Sequence, residues 1–483
     1  MAGRKDGCIS SLIYNQIMDI ISFEFFVFCA VVIIIYAWLS RPAQNFWLLL
    51  ASYGFYLTFG FQYVLFLLSL TWFNFWIGAK IANTGSAKKW LRVGVVTDVG
   101  LLIALKVITG PYGGRLAELL SGQGQLISIL LPIGFSFYVL QSISYLVGIE
   151  RRQFKPADHW VEFALYMAYF PKMLAGPIER VNYFLPQIEK KRKVDSAQFG
   201  GGVGLILLGL LRKMVIADGL SSIRPGDIFN MAANYSSLEL GLWLPVFAFE
   251  LYNDFAGYSN IVRGISKLLG IELSINFAQP FFANSFGDFW NRWHITLSSW
   301  LRDYIFFPLR RWFLQKKSPP LITLVFPPLI TMFISGFWHG TSLAMLAWGA
   351  LHGFYMVTEQ VLRQNGDGKF RWPDLFSKLL IFILITLAWI PFGAGDLSRT
   401  LVFVRQATFL TSAQVEIGIL VNSSFAVSFS FLLDWLESKN STGLFFLEWS
   451  PGIQALVVTI TLFILILFAG TGPNLSNFIY QGF

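Results

Sequence analysis

Apolar residues fill this chain in blocks long enough to cross a bilayer, separated by short polar joints or by Pro and Gly. A spanning helix needs roughly 20 mainly apolar residues. Blocks that approach this length fall at 22–39, 46–60, 62–82, 92–108, 126–148, 160–176 and 200–217. Others follow at 240–262, 321–337, 343–362, 377–394, 415–436 and 453–470. Several are short or interrupted, so tilted, half-length and re-entrant segments are expected among about ten to twelve true crossings. The pattern predicts an all-α polytopic membrane protein, with a polar extension over residues 1–19 and one transmembrane domain over 20–483. No internal repeat of the kind that builds inverted-repeat transporters is visible.

Two stretches depart from simple spans. In Ser285–Phe313, SFGDFWNRWHITLSSWLRDYIFFPLRRWF, apolar Phe286, Phe289, Trp290, Trp293, Leu297, Trp300, Leu301 and Tyr304 recur at helical spacing. Asp288, Asn291, Arg292, His294, Ser298, Arg302 and Asp303 fall on the other side. The expectation is an amphipathic helix along an interface or a wet cavity, ended or kinked by Pro308. In Tyr169–Arg180, YFPKMLAGPIER, Pro171 and Pro177 flank Lys172 and forbid a regular helix throughout. Irregular backbone at membrane depth must line a cavity or pack on protein, which predicts a re-entrant loop.

Composition supports the membrane reading: the chain is 55% hydrophobic and 13% charged, where a soluble domain is about a quarter charged. The first apolar block is too long for a signal peptide and lacks a small-residue cleavage site before Arg41, so it reads as a retained helix. Met18 is an alternative start just ahead of it. Cys8 and Cys29 give neither a disulfide framework nor metal-ligand spacing, so no metal site is expected. The net charge of +9 does not point to nucleic acid. Clusters such as Lys190-Lys191-Arg192-Lys193 and Arg310-Arg311 with Lys316-Lys317 mark cytoplasmic loops, with attraction of an anionic cytoplasmic ligand as a second possibility.

Candidate chemistry centres on the four histidines. An imidazole in hydrocarbon costs free energy unless it is paired or used. His339, between Gly336 and Gly340 in SGFWHGTSLAMLAWGALHG, is either a general base toward a hydroxyl or a structural helix-to-helix contact. His352 is 13 residues on; one continuous helix would separate the two by about 20 Å of rise. They cannot act on one atom unless the helix breaks, and His352 is expected to be structural or at a cavity mouth. His294 shares a helix face with Asn291 and Ser298, while His159 beside Asp158 reads as solvated. In ELYNDFAGYSN, Glu250, Asp254 and Tyr258 recur at i, i+4, i+8. They are expected to line a polar tunnel or to pair with arginines of the amphipathic helix.

Together these stretches resemble the membrane-bound O-acyltransferase family, in its bacterial subgroup of alginate O-acetylation and teichoic-acid D-alanylation membrane proteins. The matching segments include ASYGFYLTFG, LPIGFSFYVLQSISYLVG, YFPKMLAGPIER, LYNDFAGYSNI and, most specifically, FWNRWHITLSSWLRDY followed by GFWHG. The resemblance implies helices around a thin centre where a cytoplasmic cavity and an outward funnel nearly meet. It places the family's central histidine on His339 and its second active-site histidine on His294. Asn291 and Ser298 become supporting residues, and Trp338, Asp254, Tyr258 and Glu250 tunnel lining. Arg302 and Lys172 become candidates for holding the donor. Glu250 stands where the family commonly has Gln, the ending FIYQGF departs from the family's, and 397–449 matches nothing familiar.

The implied reaction moves an acyl group, foremost acetyl, from acetyl-CoA or an acyl-carrier thioester to hydroxyls of an exported polysaccharide. No bound cofactor is implied. The implied setting is a bacterial cytoplasmic membrane, with an extracytoplasmic acyl-handling partner protein. Alternatives are D-alanyl transfer from a carrier protein to teichoic acid, acylation of a protein or lipid, and a transporter or channel built on Glu250 and Asp254.

Overall fold

The computed structural model describes residues 18–110, 132–365, 374–408, 417–439 and 444–471. All regular elements among them are helical. The polar stretch ahead of Met18 and the terminal FIYQGF lie outside the described residues. The chain divides into two compact units, residues 1–99, 132–199 and 265–272 in one, and 100–131, 200–264 and 273–483 in the other.

The first unit opens with α1 (Phe23–Ala37), started by Ser22, whose hydroxyl accepts the Phe25 amide at 3.1 Å. Then come α2 (Arg41–Leu57), α3 (Phe61–Asn83) and the first part of α4 (Ala87–Thr109). The helices α5 (Phe135–Glu150), α6 (Trp160–Ala168) and α7 (Val181–Ile188) follow. Phe28 lies between Phe55 and Phe170, with ring centroids 6.1 and 5.3 Å away, so aromatic packing seats the Pro171 segment against α1 and α2. That segment forms one short 3₁₀ turn and then leaves helical structure, and Phe170–Ile178 is buried throughout. The backbone is secured locally: the Phe170 amide donates to Ser52 Oγ at 3.0 Å and Tyr166 OH to the Glu179 carbonyl at 2.9 Å. Irregular chain packed on protein is what its two prolines predict. Residues 265–272 are tied in by Tyr36 OH on the Leu269 carbonyl, 2.7 Å.

The second unit contains most of α8 (Ser196–Leu210), a π-helical turn over Leu211–Ala217, α9 (Asp218–Ile223) and most of α10 (Ser237–Leu268). After α10 come α11 (Phe286–Trp290), α12 (Ile295–Leu301), a second π turn over Arg302–Phe306 and α13 (Phe307–Gln315). The long helices α14 (Pro320–His339), α15 (Leu343–Asn365) and α16 (Asp374–Ala394) are followed by α17 (Leu397–Thr408), α18 (Ile417–Ser438) and α19 (Pro451–Thr471).

Four described helices are long and apolar enough to cross a bilayer on their own: α3, α14, α16 and the Pro451–Phe468 part of α19. The expected all-α polytopic class is borne out, although by length and composition alone fewer described helices qualify than the ten to twelve expected crossings. Helices such as α10 carry buried charges that lower their hydropathy, and others, such as α6, are too short to span. The single amphipathic helix expected over 285–313 is also corrected. It is two helical stretches, α11 and the continuous run from α12 through the π turn into α13, with a break at Asn291–His294, because the chain there pairs with another segment. Pro308 does not end the helix: the chain stays helical from Ile295 through the π turn over Arg302–Phe306 into α13, and the proline, which has no N–H to give to the preceding turn, falls directly after that π turn.

Candidate active site

His339 owes its position to how α14 ends. Gly340 is extended, the chain turns over three residues, and Ser342 restarts it as α15, its hydroxyl accepting the Met345 amide at 3.3 Å. The two helices then run back along each other at backbone contact. A β-carbon on Gly336 would come 2.3 Å from the Met345 carbonyl oxygen, and one on Gly349 equally close to that of Met332. Small residues permit such close helix approach in a membrane. His339, 4% exposed, is thereby held among rings: Trp338 at 4.9 Å, Trp348 at 5.1 Å and Phe392 at 5.7 Å between centroids.

His294 is placed by a different device. After α11, Ala278 donates to the Arg292 carbonyl at 3.0 Å and Ile295 to the Asn276 carbonyl at 2.9 Å, a strand-like clamp around the break. Thr296 Oγ1 donates to Asn276 Oδ1 at 2.6 Å, and Asn276 Nδ2 to Ser259 Oγ at 3.3 Å. Within the clamp His294 takes φ +41°, a left-handed conformation uncommon for a side chain of this size. The surrounding bonds over-determine it, as strained positions require. The ring is buried 4.8 Å from Phe255 and 6.3 Å from Trp338. Trp338 therefore touches both histidines, and His294, His352 and Lys106 all lie within electrostatic range of His339.

The helix break also brings His352 closer than a continuous helix allows, since His339 and His352 both pack against the same Trp348, 5.1 and 4.8 Å away. His352 is fully buried against Trp290 at 5.0 Å, which fits the structural alternative of the two expected for it. Among the described residues neither of its ring nitrogens finds a hydrogen-bond partner.

The carboxylates of α10 turn away from this centre into ion pairs. Glu250 takes a two-pronged grip from Arg224, at 2.7 and 3.1 Å. Asp254 receives Lys213 Nζ at 2.8 Å, which also reaches Asp218 at 2.8 Å. Their partners are thus Arg224 and Lys213 from the segment before α10, not arginines of the amphipathic region. Next to them Arg212 donates to Asn253 (2.9 Å), Asp434 (2.6 Å) and Glu437 (3.0 Å), and Tyr252 OH to Asp434 (2.8 Å).

The other expected site residues divide. Trp338 and Tyr258 are buried, Trp338 at the histidines and Tyr258 one turn from Phe255. Ser298 is half-buried and its hydroxyl donates to the Trp293 carbonyl at 2.9 Å. Asn291 is exposed, because the helix ends there and the shared face with His294 does not exist. Arg302 is exposed beside Asp303 at 3.2 Å. Lys172 belongs to the first unit, buried with Nζ on Gln141 and on the Tyr166 carbonyl at 2.6 Å, so it offers no open ammonium to a donor. Arg192 likewise leaves its basic cluster and inserts between Tyr36 and Asn45. His159 is exposed.

Sequence reasoning passed over Lys106. It is buried in the last turn of α4, with Nζ 2.6 Å from the carbonyl oxygen of Trp338. Its signal was a lone ammonium inside the apolar block at 92–108.

Comparison with known proteins decides the family. The model of the membrane-bound O-acyltransferase family, MBOAT, matches residues 48–390. The chain belongs to this family. Among MBOAT relatives, the probable alginate O-acetylase AlgI of Pseudomonas aeruginosa is 32% identical over 382 residues, 77% of this chain and 71% of that protein. The peptidoglycan O-acetyltransferase of Helicobacter pylori is 29% identical over 401 residues, 76% of this chain and 74% of that protein. The teichoic acid D-alanyltransferase of Streptococcus thermophilus is 30% identical over 248 residues, 48% of this chain and 57% of that protein. This MBOAT chain is therefore an integral membrane O-acyltransferase.

Proposed function

We propose that the enzyme moves an acetyl group from a cytoplasmic thioester, acetyl-CoA in the simplest case, to hydroxyls of an exported polysaccharide. The observation that carries the site assignment is that His339 and His294 both pack against Trp338, in surroundings rich in rings. In this reading His339 takes the acceptor hydroxyl proton as its oxygen attacks the thioester carbonyl, then returns it to the departing thiolate. His294 orients His339 or donates a hydrogen bond to the developing oxyanion. Transfer is direct or passes through an extracytoplasmic acyl-handling protein. The setting is the bacterial cytoplasmic membrane, whose inner face meets the donor and whose outer face meets the acceptor.

Acetyl is favoured over D-alanyl because two acetylating relatives match about three quarters of this chain, whereas two D-alanylating ones match about half of it. The test is donor supply to purified enzyme in proteoliposomes, with labelled acetyl-CoA in one arm and a D-alanyl-loaded carrier protein in the other. Label transferred from acetyl-CoA by wild type but not by His339→Ala supports the reading. Product only from the carrier arm overturns the donor and acyl group, and an active His339→Ala overturns the base.

A further inference from the structure

The one buried cation beside the proposed base among the described residues is Lys106, and no step above uses it. It is 6% exposed on the last turn of α4. Its Nζ makes one hydrogen bond to the described residues, to the carbonyl oxygen of Trp338, and stands 5.9 Å from the Trp338 ring centroid. An ammonium has three N–H donors, so two are not taken up there. Among the described residues Lys106 has no carboxylate partner, and a buried charge so placed is expensive, so ordinary packing does not retain one without a compensating gain. The position is tightly specified: a β-carbon on Gly110, just beyond α4, would lie 2.3 Å from Thr341 Oγ1. The end of α4 is therefore pressed onto the break between α14 and α15.

We propose that Lys106 is a catalytic residue: its ammonium, anchored on the Trp338 carbonyl, donates to the negative charge that develops when the thioester is attacked. The C–O bond forms as His339 takes the hydroxyl proton, and the carbonyl π electrons move onto oxygen, opposite the ammonium. When that oxyanion collapses, the C–S bond breaks and the thiolate leaves with the proton from His339. Lys106 keeps its own proton throughout. A fixed cation in a site of low polarity acts far more strongly than in water and needs no reorganisation during reaction. The same bond caps a carbonyl at the end of α14, where a cation is favourable to the helix dipole.

This rests on His339 being the base, so the experiment carries His339→Ala as a separate arm. Initial rates with labelled acetyl-CoA in proteoliposomes are compared for wild type, Lys106→Gln and Lys106→Met, with thermal melting of each in detergent. Gln can still donate to the Trp338 carbonyl but carries no charge. The proposal expects Lys106→Gln to keep the melting temperature and KM within narrow limits while kcat falls about 100-fold or more. Lys106→Met is expected to lose at least as much kcat. A Lys106→Gln enzyme within threefold of wild type overturns the proposal, as does a rate loss that appears only in Lys106→Met together with its melting. An active His339→Ala enzyme would instead sink the reading beneath it.

Discussion

The second unit holds polar groups in two opposite ways. Around α10, cations and carboxylates meet directly: Arg212 with Asp434 and Glu437, Lys213 with Asp218 and Asp254, Arg224 with Glu250. Around the end of α14, three histidines pack on Trp290, Trp338, Trp348, Phe255 and Phe392. A charge met by an opposite charge is spent on the fold, and removing one partner strands the other. An imidazole packed on rings is held by contacts to its faces and edges rather than by the pairing of two opposite charges. The difference separates the two regions more sharply than burial does, since both lie largely inside the protein. It also weakens a transport reading of Glu250 and Asp254, which are closed by cations on the same unit.

Variants in the two regions should therefore fail differently. His339→Ala is expected to lower transfer by about 10²–10⁴-fold or more with thermal melting little changed; a melting drop that matched the lost activity would erase the distinction. Arg212→Met should do the reverse, costing about 3–5 kcal/mol of stability by leaving Asp434 and Glu437 unpaired. The surviving fraction should keep a normal KM, measured alongside the yield of folded protein. At His294, Ala should lower kcat by about 100-fold. His294→Asn, which tolerates left-handed backbone better than most residues, should fold at least as well as His294→Ala. If Asn restored full activity, the ring would have no part in the reaction. The smallest effect is expected for Glu250→Gln, which keeps a hydrogen bond to Arg224 and should cost about 1–2 kcal/mol with transfer intact. Loss of transfer there without loss of stability would give the α10 carboxylates a role in chemistry.

Much of this was legible from residue order. Blocks of apolar residues gave the helical membrane class, the paired prolines of YFPKMLAGPIER gave the irregular buried segment, and the RWH and WHG motifs gave the two histidines that meet at Trp338. What escaped was non-local. The periodicity through Ser285–Phe313 is helical, yet the clamp by Asn276 and Ala278 breaks it at His294, and Asn291 is lost from the site as a result. Nothing in the local pattern encodes a partner contributed by another segment. Lys172 and Arg192 read as open cations because neighbours distant in sequence, Gln141 in one case and Tyr36 with Asn45 in the other, capture them. Lys106 was visible as an oddity, but its meaning depends on a carbonyl 232 residues away.

The π turn over Leu211–Ala217 has a consequence of its own. Such a turn is an α-helix carrying one residue more than its ladder needs. Here the surplus falls where consecutive residues go separate ways, Arg212 toward Asn253 and Asp434, Lys213 toward Asp218 and Asp254. Removing that surplus residue would let the ladder close as ordinary helix with the flanking turns still in register, but would redistribute the side chains within the turn itself around the axis. Either Arg212 or Lys213 would then swing out of register with its acceptors. The chain length of this stretch is thus as constrained as its charges, and a single deletion should be less tolerated than most substitutions in it.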